Sequence, residues 1–304
     1  LMVCVYKCLS MTFSNYQSLS ALVVDDFKNF RDSLKIMLER FGVKRIDSVG
    51  RGNQALKVCQ FKPYDIVFCD YNLGDGKNGV HVMETLREHN YLKANVLLVV
   101  VTAETNRSIV MATYDCAPDA YLCKPITTNY LKVRLDRLLT QRDEFKEINI
   151  AIENECYKEA IELCESHASK GGKGQLRCQK LLGDIYLREG LAEKAEDHYG
   201  GLIEDKCPPW VPVGLAQAKF ILKQPEAACE LLNDVLRDNP HHLEAYDLLS
   251  LIYYNDGDTE SSQKIVEEAV QICPLSIPRR KHRGDIARDN QDLEQAILAY
   301  RECI

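Results

Sequence analysis

Between residues 21 and 140 the chain alternates short, nearly unbroken apolar runs with longer stretches of helical spacing. The runs are ALVV (21–24), RIDSV (45–49), DIVFC (65–69), NVLLVVV (95–101) and DAYLC (119–123). Amphipathic segments lie near 27–41, 52–61, 79–90 and 105–114, and another begins at 127. A strand without polar alternation is buried on both faces, as in a parallel sheet covered by helices. Five such units predict a doubly wound, five-stranded parallel α/β domain. Ligands of that architecture sit at the C-terminal ends of the strands.

Beyond about residue 141 the strand pattern ends and a repeat takes over. Leu182, Gly183, Tyr186, Ala195 and Tyr199 set a template, and Leu249, Ser250, Tyr253, Ser262 and Val266 match it 67 residues later. Gly284, Ala287, Ala296 and Tyr300 match 34 residues after that, and Ala216, Phe220, Ala228 and Leu232 fill the unit between. A weaker unit with Ala151, Ala160 and Cys164 precedes them. Each unit reads as a helical hairpin: small residues admit close helix approach, large ones fill the gap, and Pro240 and Pro274 end second helices. A period of about 34 residues resembles the tetratricopeptide-repeat (TPR) family, which implies an all-α superhelix that binds protein. Between Pro125 and Gly171 there is no Pro or Gly. The stripe Leu131, Leu135, Leu138, Phe145, Ile148 and Ile152 predicts that the last helix of the first domain runs on into the repeats, with at most a short break near 140–143.

Composition narrows the classes. With 46% hydrophobic and 27% charged residues over 304, the chain is that of a globular protein of two ordinary domains. A net charge of -7 argues against a nucleic-acid surface as the main output. The one dense basic run, Arg279 to Arg283, reads first as a solvated helix face. The 13 cysteines show no C-x-x-C pair, so neither a zinc site nor a redox pair is signalled, and so many free thiols suggest a reducing cytoplasm. No apolar run reaches the roughly 20 residues of a membrane helix. Residues 1–19 read as an N-terminal extension outside the fold.

Polar residues follow four of the apolar runs: Asp25 and Asp26, Asp70, Thr102, and Lys124 before Pro125. Taken singly, these are helix caps, a turn residue and a loop charge. In a parallel sheet they converge on one rim, and three carboxylates, a hydroxyl and a lysine there point to a functional site. The constellation resembles the receiver domains of two-component response regulators over residues 20–140. That resemblance implies Asp70 as phosphoacceptor, with Asp26, Asp70 and the Asn72 backbone carbonyl on Mg²⁺ and Asp25 acting mainly through water. It also implies Thr102 and Lys124 on phosphoryl oxygens, Tyr121 as the switch aromatic, and Asn72 and Glu104 beside the path of a hydrolytic water. An Asp carboxylate is a competent phosphoryl acceptor, and the loose transition state needs positioning and charge neutralisation above all. One departure concerns the loop after Asp70, which reads DYNLGDGKNG. It lacks the family's Pro, and its matching Gly79 comes one residue late.

Together these readings imply a receiver over 20–140 and repeats over 141–304. The receiver would be phosphorylated by a histidine kinase or phosphotransfer protein, and would signal through a protein bound by the repeats. No nucleic-acid or membrane partner is expected, and a homodimer stays open. A groove of Asp184, Asp247, Leu251, Tyr254 and Asp285 would be acidic and aromatic. The alternatives are a constitutive scaffold with an unphosphorylated receiver and a regulator whose effector lies beyond residue 304. An aspartate-nucleophile phosphatase would need a second Asp where Asn72 stands.

Overall fold

The computed structural model describes residues 16–74, 79–103, 118–169, 171, 174–204, 206–274 and 276–303. Glu104, the expected helix at 105–114, Gly76 and residues 1–15 of the extension lie outside the described residues, whereas the extension's last residues belong to the fold, with Tyr16 and Leu19 buried in the first unit's core. The chain divides into two compact units, Leu1–Asn154 and Glu155–Ile304.

In the first unit, β1 (Ser20–Val24), β2 (Arg45–Val49), β3 (Ile66–Asp70), β4 (Leu97–Thr102) and β5 (Ala120–Cys123) form one parallel sheet in the order β2-β1-β3-β4-β5. The α-helices among its described residues are α1 (Lys28–Phe41), α2 (Gly52–Phe61), α3 (Gly79–Glu88), α4 (Thr128–Glu144) and α5 (Lys146–Glu153). β1, β3 and β4 are buried at every residue, whereas β2, at the sheet edge, is partly exposed along its length. Two runs begin with an Asp that stays outside its strand and ties neighbours together. Asp65 accepts from the backbone N–H and the hydroxyl of Ser20, both at 2.8 Å. Asp119 accepts from the Leu98 N–H at 2.8 Å. One core runs through β1, β3, β4, α1 and α4, with Phe68, Leu34, Leu38, Leu131 and Leu135 at its centre.

The long helix predicted from residue 127 onward is divided differently. α4 stops at Phe145, a buried residue with φ −102° and ψ 8°, two residues past the window in which a break was expected. α5 then docks beside the start of β4: Asn149 Nδ2 donates to Asn95 Oδ1 at 3.1 Å, and Glu153 Oε1 accepts from the Ala94 N–H at 3.2 Å. A second turn follows, with Glu155 in the left-handed region at φ 57°. The first compact unit thus runs to Asn154, past the boundary at 140 that the pattern suggests.

The described residues of the second unit contain helices and no strand: α6 (Tyr157–Ser169), α7 (Gln175–Arg188), α8 (Ala192–Gly200), α9 (Trp210–Ile221), α10 (Pro225–Asp238), α11 (Leu243–Asp256), α12 (Thr259–Ile272), α13 (Ile277–Asp289) and α14 (Leu293–Arg301). From α7 onward they pair as four hairpins on the repeat template. Close packing explains the small residues. A Cβ on Gly183 would lie 2.2 Å from Tyr199 Cζ, and one on Gly214 2.3 Å from the same atom. The Tyr199 ring therefore fills a notch between the first helix of its own hairpin and that of the next, and its hydroxyl donates to Asp184 at 3.1 Å. In α13 and α14 the same arrangement recurs, with Gly284 against Tyr300 and the Tyr300 hydroxyl donating to Asp285 at 2.7 Å. The third hairpin has Ser250 and Ser262 instead. Each hydroxyl donates to the other's backbone carbonyl, at 3.1 and 2.8 Å, so both buried polar groups are satisfied.

The basic run is not a solvated face. Arg279 is buried and forks onto both oxygens of Asp247, at 2.8 and 2.6 Å. Arg280 and Arg283 both reach Glu302. A guanidinium matches a carboxylate bidentately, which is why arginine suits this inward role. The expected groove residues stay at least partly open to solvent, and the polar ones are hydrogen-bonded within the unit. Asp184, Asp247 and Asp285 bond within the unit as above, Tyr254 donates to Asp289, and Leu251 stays 41% exposed. Among the described residues no helix is long and apolar enough to cross a membrane.

Candidate functional site

β1 and β3 are neighbours, and their C-terminal ends are where the connections diverge to opposite sides of the sheet, the switch point at which doubly wound sheets bind ligands. Asp25 and Asp26 follow β1, Asp70 ends β3, Thr102 ends β4, and Lys124 follows β5. Asp25, Asp70 and Thr102 are buried, Asp26 is exposed, and the Lys124 side chain is 15% exposed.

Lys124 Nζ donates to Asp25 Oδ2 at 2.6 Å and to Asp70 Oδ2 at 2.7 Å. Carboxylate oxygens of Asp25, Asp26 and Asp70 lie within 4.8 Å of one another. Asp70 Oδ1 accepts weakly from the Asn72 N–H at 3.3 Å. Asp25 Oδ1 accepts from the Phe27 N–H at 2.8 Å, so both Asp25 oxygens already have donors. Burial pushes the Asp70 carboxyl above the ordinary carboxylate range. The Lys124 ammonium pulls it back in part, and the Asp25 charge adds to the rise. Burial works against the Lys124 ammonium, but its bonds to Asp25 and Asp70 outweigh that and raise its pKa. Three crowded carboxylates, two of them buried, with one lysine between them, make a donor set of hard oxygens that suits a small divalent cation.

The loop after Asp70 departs from the family pattern but has its own steric logic. The Gly79 N–H donates to the Tyr71 carbonyl at 2.8 Å. A Cβ on Gly79 would lie 2.0 Å from the Asp70 backbone oxygen, which cannot move aside. Gly74 takes φ +66°, and its N–H donates to Asn72 Oδ1 at 3.2 Å. Tyr121 is half-buried in β5. Of the residues implied by the receiver resemblance, Asp25, Asp26, Asp70, Asn72 and Lys124 are linked by these bonds and distances. Thr102 stands at the end of the neighbouring strand, and Glu104 lies outside the described residues.

Two residues on α1 that shape the site went unnoticed in the sequence. Arg31 Nη1 donates to the backbone carbonyls of Asp25, at 2.5 Å, and Asp26, at 3.0 Å, bracing the acid pair from below. Phe30 turns its ring towards Lys124, whose Nζ lies 4.3 Å from the ring centroid. Helical spacing from the acid pair places both on the near end of α1. Neither residue type announces such a role.

Residues 21–136 match the family described as the response regulator receiver domain, and residues 243–274 match a tetratricopeptide repeat. The chemotaxis protein CheY-3 of Vibrio cholerae serotype O1 is 27% identical over 122 residues, which is 40% of this chain and 92% of that protein. The chemotaxis protein CheY of Pseudomonas aeruginosa is 26% identical over 117 residues, 38% of this chain and 93% of that protein. A solved CheY-like receiver domain from Methylobacillus flagellatus is 29% identical, with a TM-score of 0.35, covering 40% of this chain and 99% of that one. The match to 243–274 spans the α11–α12 hairpin, the third on the repeat template. The chain therefore carries a CheY-like response regulator receiver domain followed by a helical region that includes a tetratricopeptide repeat.

Proposed function

We propose that this chain is a two-component response regulator that takes a phosphoryl group on Asp70 from a histidine kinase or phosphotransfer protein and signals through protein contacts of its helical repeats. The observation that carries this reading is the placement of Asp70, buried at the end of β3, with Lys124 Nζ at 2.7 Å and two further carboxylates around it. In the transfer an Asp70 Oδ–P bond forms as the donor's P–O or P–N bond breaks, and the donor keeps that bond's electron pair. Lys124 stays protonated and offsets charge on the phosphoryl oxygens, with Thr102 as a further hydrogen-bond donor. Asp26, Asp70 and the Asn72 carbonyl would hold Mg²⁺, which supplies charge neutralisation at the transferred group. Asp25, whose two oxygens already accept from Phe27 and Lys124, fits a role through water.

Incubation with Mg²⁺ and acetyl phosphate should add one acid-labile phosphoryl group. Asp70→Asn should abolish it, whereas Lys124→Ala should leave labelling possible and break the response. Label that survives Asp70→Asn refutes the assignment, and absence of any label would favour the constitutive scaffold. Asn72 and Glu104 are the residue types found in the fast-cycling chemotaxis regulators that this receiver resembles. A phosphoryl lifetime of seconds to minutes is therefore expected, and one of many hours counts against the role given to that pair.

The helical repeats are the proposed output. Residues 155–304 hold 27 acidic and 18 basic side chains, against 18 and 20 in residues 1–154, so the chain's negative charge resides in the second unit. That balance supports a protein partner with a basic face and disfavours nucleic acid. A cytoplasmic location fits the many reduced thiols.

A further inference from the structure

An ammonium has three N–H groups, and two of Lys124's are committed to Asp25 and Asp70. The face of Phe30 stands 4.3 Å from the same nitrogen, inside the roughly 6 Å over which a ring attracts a cation. Phe30 is half-buried and packs against the core of the first unit, so the ring's place is fixed from behind. Lys124's side chain is 15% exposed, and little water competes for the contact. Building on the reading of Asp70 as phosphoacceptor, we infer that Phe30 is a positioning residue, holding the Lys124 ammonium at the phosphoryl site through the negative face of its ring.

The chemistry gives this contact a purpose. When the Asp70 Oδ–P bond forms, the acceptor carboxylate loses its charge and the oxygens of the new group become the better partners for Lys124. The ammonium, protonated throughout, must exchange one partner for another while Asp25 keeps its own bond. Hydrogen bonds to carboxylates are directional and lapse during such a move. A ring face is a broad negative surface over which the ammonium slides without losing support. A leucine is apolar but smaller, and offers no such surface.

The test uses the full chain with Phe30 replaced site-specifically by mono-, di- and trifluorinated phenylalanine. Fluorine drains the ring face of negative charge while nearly keeping its shape. The readouts are the rate of Asp70 labelling by acetyl phosphate with Mg²⁺, the thermal midpoint, and the chemical shift of the Lys124 ε-methylene protons without Mg²⁺. The labelling rate should fall stepwise with fluorine number, by about three- to thirty-fold at the end of the series, as loss of a desolvated cation–π contact implies. The midpoint should stay nearly constant, and Phe30→Tyr should recover most of the rate that Phe30→Leu loses. In a Lys124→Ala background the series should be flat. The ε-methylene protons should be shifted upfield by the ring and return to ordinary values in Phe30→Leu. A flat fluorination series in the wild-type background, an equal fall without Lys124, or no upfield shift would each overturn the role of Phe30. If the wild-type chain takes no label on Asp70, the acceptor reading fails first and takes this role with it. If it labels normally but ignores the fluorines, only the role of Phe30 is lost.

Discussion

Asp70 is a carboxylate held in an unfavourable place: burial and the neighbouring Asp25 raise its pKa, and Lys124 offsets only part of that. A group whose folded pKa is raised binds an extra proton in the folded state. Its stability contribution therefore falls as pH rises from about 4 through the raised value. Asp70→Asn removes the ionisation and keeps an oxygen for Lys124. Without divalent ions the variant should match wild type near pH 4 and melt higher at pH 7, by about 2–4 °C if the relief is near 1 kcal/mol. Mg²⁺ should raise the wild-type midpoint and leave the variant's unchanged. A variant that melts lower at pH 7 would mean that the strength of the Lys124 bond outweighs burial.

The strain at Asp70 and its relief by Lys124 are half legible in the sequence. Polar residues at four strand ends announce the rim, because a parallel sheet sends all those ends the same way. The contacts of Phe30 and Arg31 are not announced, since a phenylalanine or an arginine on an amphipathic helix has an ordinary use in every fold. Only the observed turn of α1 over the rim shows which side chains reach it.

At the scale of elements the hairpins rest on close approach. Gly214→Ala gains helix propensity of about 1 kcal/mol, but its methyl would meet the Tyr199 ring, which Gly183 blocks on the other side. Overpacking of a fixed ring costs about 1–3 kcal/mol, so the clash should win and lower the second unit's midpoint. Gly190→Ala faces no neighbour within 4 Å, but takes φ +70°, so any loss there reports backbone strain alone. The comparison separates the two causes, and a smaller loss in Tyr199→Leu/Gly214→Ala than in Tyr199→Leu alone would confirm the contact. The repeat period shows in the sequence because it forces small and large residues to alternate at fixed spacing. Strand bounds shift by a residue where Asp65 and Asp119, at the strand starts, add side-chain bonds to the backbone bonds they make with the neighbouring strands. The break at Phe145 is hidden because the apolar spacing carries on across it. The partner of Arg279 is hidden too, since Asp247 lies in another hairpin and no local pattern joins them.

At the scale of the whole molecule, two units with separate cores predict two heat-absorption transitions in calorimetry. Asp70→Asn should move one of them and Gly214→Ala the other. A single transition that both substitutions shift alike would instead mean that the chain unfolds as one block.

The notch that holds Tyr199 also sets an order of events during synthesis. One wall, Gly183, precedes the ring in the chain, but the other, Gly214, leaves the ribosome 15 residues after it. At about 5–20 residues per second, the first of these hairpins waits on the order of a second or more with its largest side chain half covered. That hairpin is thus completed by its successor, and the nascent chain closes this seam one hairpin behind the point of growth.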